Sequence, residues 1–159
     1  MASPVIELIA LELLDRLEGL DDYTVVRPDR TGTNITPTDR TIVLRQMPSQ
    51  PNDQLSCHGN PPAMAFNVVF LCVCSVRNVY GNEPAYDTAC NRAASDIIYA
   101  VTHPATNPAG WWAFAGKALN STIGASSPYI STQGERAGVI VPVLITYRVS
   151  ENDHTQVRP

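Results

Sequence analysis

Cysteine and histidine carry the side chains in this sequence best suited to chemistry. Cys57-His58, Cys72-x-Cys74 and Cys90 are ligand types that zinc accepts, but a structural zinc site usually presents them as short-spaced pairs on turns. Cys72 and Cys74 lie two apart in an apolar run and so share one face of a strand. Cys90 falls on the apolar stripe of a helix, where a free thiol behaves as a small hydrophobe. A small zinc-binding module or thiol enzyme built on Cys57, His58 and Cys90 is the competing reading. The histidines supply no obvious base for a thiol: His58 is in a loop, His103 precedes Pro104 at a helix end, and His154 is near the C-terminus. Asp21-Asp22 reads as a turn rather than an acid/base pair. There is no phosphate-binding loop, dinucleotide fingerprint, Gly-x-Ser-x-Gly elbow or His-Glu-x-x-His. The expectation is a protein without catalytic residues, metal or cofactor.

Three groups of residues point instead to protein contacts. Trp111-Trp112-Ala113-Phe114 places large aromatics in an irregular stretch, where they either plug one end of a sheet or anchor a partner. Leu8 and Leu11 fall among Glu7, Asp15 and Glu18 on the outer side of an amphipathic helix. Pro51, Asn52 and Asp53 lie in a connection of about 15 residues, residues 48–62, a length that is usually either functional or mobile. These seven residues, Leu8, Leu11, Pro51, Asn52, Asp53, Trp111 and Trp112, are the candidate interface. Changing both leucines to Asp is expected to block assembly and leave the domain folded.

Composition limits the partners. The 159 residues suit one domain, and charged residues make up 16%, against about 25% for an ordinary soluble domain. A compact monomer of 17.3 kDa exposes roughly 7,800 Å², a large surface for so few charges. The net charge of -4, with Lys117 the only lysine, argues against a protein that grips nucleic acid by its phosphates. The charge is uneven: residues 1–22 hold six acids against Arg16, and the remaining nine acids face ten arginines and lysines. No basic segment precedes an apolar run at the start, and no run approaches the roughly 20 residues that span a bilayer. The expectation is folding in a cytosol, with reduced cysteines and no membrane partner.

The elements that must position these residues are legible. The first helix runs from a Ser3 cap and Pro4 in the first turn to a left-handed stop at Gly19, with Ile6, Ile9, Ala10, Leu13, Leu17 and Leu20 as its core stripe. Strands follow at 23–27, 40–47 and 63–76, separated by loops at 28–39 and 48–62. The third strand is apolar on both faces and should be central. A helix from Asn82 or Glu83 to His103 buries Tyr86, Ala89, Cys90, Ala93, Ile97, Ala100 and Val101. Short strands are expected within 118–123 and 129–130, and a long one over 138–149, with Pro142 at an edge or bulge. Residues 150–159 read as a loose polar tail. The fold class is α+β: one domain over 1–149, mainly antiparallel sheet with two helices packed on one face.

This order of elements, with Gly116-x-Ala118, a Gly134-x-x-x-Gly138 turn and a final Gly138-Val-Ile-Val-Pro-Val-Leu-Ile-Thr-Tyr-Arg148 strand, resembles the tail terminator, or tail completion, proteins of tailed bacteriophages. The likeness covers nearly the whole chain as an order of elements. It implies a structural virion protein of the tail and neck, assembled in the host cytoplasm. Such a protein forms a hexameric ring on the head-proximal end of the tail tube, stops its polymerisation and meets a head-side connector or neck protein. Another head-tail adaptor or head-closure protein is the nearest alternative.

Overall fold

The computed structural model describes residues 2–28, 40–59, 62–76, 83–130 and 137–158. The expectations for residues 29–39, for Asn82 as a helix start and for Gly134 lie outside the described residues. The elements are α1 (Val5–Glu18), β1 (Thr24–Val26), β2 (Thr41–Gln46), β3 (Gln50–Pro51), β4 (Ala63–Val76), α2 (Glu83–Thr102), a 3-10 segment (Pro108–Ala113), β5 (Asn120–Ile123), β6 (Ser127–Ile130), β7 (Ala137–Ser150) and β8 (Asp153–Val157).

One sheet takes up all these strands in the order β1-β2-β4-β7-β5, with β3 against β4 and both β6 and β8 against β7. Its spine is the antiparallel pair β4–β7, in register from Ala63 opposite Ser150 to Val76 opposite Ala137. β1 and β2 pair in parallel, and the other described pairs are antiparallel. The alternation along the spine places Val68, Phe70, Cys72 and Cys74 beside Ile145, Val143, Val141 and Val139 on one face, all buried. Both helices cover that face. α1 adds Val5, Ile9, Ala10, Leu13 and Leu17, and α2 adds Cys90, Ala93, Ala94, Ile97, Ala100 and Val101. Each large apolar side chain so buried contributes about 2 kcal/mol, and the alanines let α2 approach closely. The protein is thus a single α+β domain with two helices on one face of a mainly antiparallel sheet. Among the described residues no helix is long and apolar enough to cross a membrane.

Local differences from the sequence reading have physical causes. Pro4, not Ser3, caps α1: its carbonyl accepts from Glu7 N at 2.9 Å and Leu8 N at 3.1 Å, and no side chain caps the end. Gly19 keeps right-handed geometry, because a tight turn with Leu20 N donating to Leu17 O returns Leu20 to the core edge. β7 is central, yet Pro142 disrupts nothing. Its carbonyl accepts from Gly124 N at 2.8 Å on the side where β5 has ended and β6 has not begun, so its missing N–H faces a break in the ladder. The expected polar tail is instead β8, which folds back on β7 through Ser150 opposite Asp153 and Val149 opposite Val157. An exposed edge strand needs no apolar alternation, so Asp153–Val157 carried no strand pattern. Gly138 is inside β7 rather than in a turn: a Cβ there would strike the Cys74 carbonyl oxygen and approach the Tyr129 ring at 2.7 Å.

Candidate interaction surface

The chemistry-bearing residues do not converge. Cys57 is exposed and bridges to Ala63 at the start of β4, whereas Cys72 lies nine residues further along that strand, roughly 30 Å away. Cys72, Cys74 and Cys90 are core residues, and burial pushes the Cys72 thiol up to about 12, where it is inert as a nucleophile or ligand. Among the described residues no three His, Cys, Asp or Glu side chains come together to hold a metal. His103 stacks on Tyr99 with centroids 4.3 Å apart, and His154 meets the Phe66 ring edge-on at 6.0 Å. Asp22 faces Arg40 at 3.8 Å across an exposed turn.

The aromatic segment is held by one buried cation. Phe114 is fully buried, with the Arg16 guanidinium 4.2 Å above its ring. Arg16 Nη1 also donates to the carbonyls of Val101, at 2.8 Å, and Trp111, at 3.0 Å, while Nε donates to Glu12 Oε1 at 3.2 Å. Burial lowers the Arg16 pKa and the Glu12 carboxylate opposes that shift. The chain leaves the 3-10 segment through three consecutive left-handed residues, Phe114, Ala115 and Gly116, with φ of 46°, 54° and 80°. Only Gly116 takes this geometry without steric cost, so the burial of Phe114 holds the turn. Trp111 therefore packs against the core edge, and Trp112 is left 45% exposed, with its carbonyl accepting from Ser121 Oγ at 2.7 Å.

On α1, Leu11 is 47% exposed and Leu8 half-buried, so the two leucines are unequal. Much of the helix's acidity is neutralised within the chain. Glu7 pairs with Arg27 at 2.6 Å, and Glu12 holds Arg16 at 3.2 Å and Lys117 at 3.7 Å. Asp15, Glu18 and Asp21 are exposed and form no ion pair among the described residues. The negative field is thus concentrated at the C-terminal half of α1.

The expected long loop is tied down along the edge of β4. Gln50 and Pro51 pair with Asn67 and Phe66, and Asn52 N donates to Ala65 O at 2.9 Å. The Asn52 side chain accepts from Leu55 N at 3.2 Å, closing a turn that leaves Asp53 exposed. Arg148 fastens the far side, donating to Leu55 O from Nη2 at 2.7 Å. Pro51, Asn52 and Asp53 therefore project from a pinned turn rather than a free arm, and they lie apart from Trp111 and Trp112 in the fold.

Sequence reading missed the largest feature, the second face of the sheet. Register places Arg45, Leu71 and Pro142 in one row across β2, β4 and β7, with Val43, Val73 and Ile140 in the next. On the other side Val69 lies opposite Leu144, and Met47 N donates to Val69 O. Met47 is 43% and Leu144 41% exposed, while Val69, Leu71, Val73, Ile140 and Pro142 are half-buried. Neither helix covers this face. Asn67 and Thr146 edge the patch, and Thr146 Oγ1 donates to Asn67 Oδ1 at 2.9 Å. The available signal was the apolar second face of residues 69–73, which sequence alone assigns to burial in the sheet centre. A separate small apolar pocket of about 160 Å³, lined by Pro4, Ile6, Phe66, Tyr147, Val149 and His154, has room for one side chain. No protein-family model matches the chain. No curated protein matches it.

Proposed function

We propose that the chain is a structural, non-catalytic subunit of a bacteriophage tail. In this reading it is a ring-forming terminator that caps the head-proximal end of the tail tube, stops polymerisation and joins the tube to the neck. The observation that carries this reading is the uncovered apolar face of the sheet, on which Met47 and Leu144 are exposed. A contiguous apolar patch with a polar edge marks a contact surface. The low charge of the body fits a subunit whose surface is largely covered, since a ring member meets two neighbours as well as partners along the axis. The order of elements from α1 to β7 supports the same family likeness.

The test combines light scattering and negative-stain imaging of the full chain, alone and with polymerising tail-tube protein. Rings of about six subunits, and tubes blunted at one end, are the expected result. A chain that stays monomeric, binds stoichiometric zinc and leaves tube growth unchanged overturns the proposal.

A further inference from the structure

Two exposed apolar surfaces lie on opposite sides of this two-layer domain. One is the outer side of α1, where Leu11 stands beside half-buried Leu8 and is flanked by Asp15 and Glu18. The other is the open sheet face, where Arg45 stands at the end of the Leu71–Pro142 row beside Met47 and Leu144. Arg45 is exposed and, like Asp15 and Glu18, forms no ion pair among the described residues. We infer that the outer face of α1 in one copy docks on the open sheet face of the next copy, with Asp15 and Glu18 meeting Arg45. This rests on the ring-subunit reading and names the contact that builds the ring.

Charge selects this pairing over the two symmetric ones. Stacking two sheet faces brings Arg45 toward its own copy, and packing two α1 helices brings Asp15 and Glu18 together; like charges in either contact are repelled. The helix-on-sheet contact places opposite charges together and the apolar residues between them. Dimensions permit the contact. The 14 residues of α1 give a rod about 21 Å long, and the apolar rows cross three strands about 4.8 Å apart. Because the contact joins different surfaces on opposite sides of the domain, it repeats head to tail, and a rotation that closes gives a ring.

The test is sedimentation velocity on the full chain, with circular dichroism melts confirming that each variant folds. Arg45→Glu and the pair Asp15→Arg/Glu18→Arg are each expected to weaken self-association at least tenfold. The chain carrying all three changes is expected to regain it, because the charges are exchanged and the apolar contact is intact. Leu144→Lys and Leu11→Asp are expected to give monomers with unchanged melts. Wild-type assemblies that persist in all these variants, or no recovery in the triple variant, overturn the docking and leave the ring reading standing. Charge-exchangeable assemblies that do not cap tail tubes confirm the docking and overturn the tail reading. A wild-type chain that is monomeric at millimolar concentration and in the presence of tube protein overturns both.

Discussion

Arg16 lies where α1, the end of α2, the 3-10 segment and the Phe114 ring meet, and its geometry explains why a cation is tolerated there. Its Nη1 donates to the Val101 carbonyl at the end of α2 and shares the Trp111 carbonyl with Phe114 N, Glu12 balances the charge, and the guanidinium lies over the ring. Removing it strands the buried Val101 carbonyl and uncovers the Phe114 ring, so Arg16→Ala is expected to cost about 3 kcal/mol, read as a shift in the urea midpoint. Arg16→Lys should recover only part of this, since a single ammonium cannot serve the carbonyls and Glu12 from separate nitrogens while laying a planar group on the ring. A second residue-scale consequence concerns alkaline pH. Burial, reinforced by Asp96 accepting from its hydroxyl at 2.7 Å, raises the Tyr23 pKa, and burial pushes Tyr86 and Cys72 up to about 12. These groups lose protons earlier in the unfolded chain than in the folded one. Stability should therefore be constant below their ordinary values and fall as pH rises above about 9 to 10. Tyr23→Phe is expected to flatten that alkaline decline and to cost about 1–2 kcal/mol at pH 7, with denaturant midpoints at pH 7 and 10.5 separating the two effects.

Among the elements, β7 is the one whose residues most constrain their neighbours. Gly138 accepts the Tyr129 ring against its backbone, and Tyr86 donates to the carbonyls of Tyr129, at 2.9 Å, and Gly138, at 3.3 Å. Gly138→Ala is expected to destabilise by about 1–3 kcal/mol, because the added carbon meets both a carbonyl and a ring. The left-handed turn after the 3-10 segment gives the opposite sign. Ala115→Gly relieves a strained φ of 54° and should raise the melting temperature or leave it unchanged, read by thermal melts. The boundaries of β4, α2 and β7 were legible because long periodic apolar patterns define them. β3 and β8 were not, since two residues and a polar edge strand owe their conformation to the β4 and β7 backbones beside them.

At the scale of the whole molecule, the acidic start of the chain becomes a directed field. Sequence places six acids in the first 22 residues, but Arg27, Arg16 and Lys117 fold back onto Glu7 and Glu12. What remains is an acidic end of α1 beside Leu11, facing away from an open, arginine-bearing sheet face. Replacing both Leu8 and Leu11 is therefore a poor test of assembly, since Leu8 is half-buried. Leu11→Asp alone should leave stability within about 0.5 kcal/mol of the parent chain, checked by thermal melts at a concentration where the chain is monomeric.

The sequence alone determined the α+β class, the long strands and helices, the core stripes and the burial of Cys72, Cys74 and Cys90, because local periodicity encodes which side of an element meets the core. It also named Leu8 with Leu11 and Trp111 with Trp112 as interface candidates, but only the fold separates the exposed Leu11 and Trp112 from their half-buried neighbours. Only the tertiary structure decided that the apolar second face of β4 and β7 is left open. Periodicity marks a face as apolar but does not say whether a layer covers it; here both helices pack on the same side of the sheet. Charge pairing was likewise undetermined, because Arg27 reaches Glu7 and Lys117 reaches Glu12 only after β1 and the aromatic segment have folded against α1.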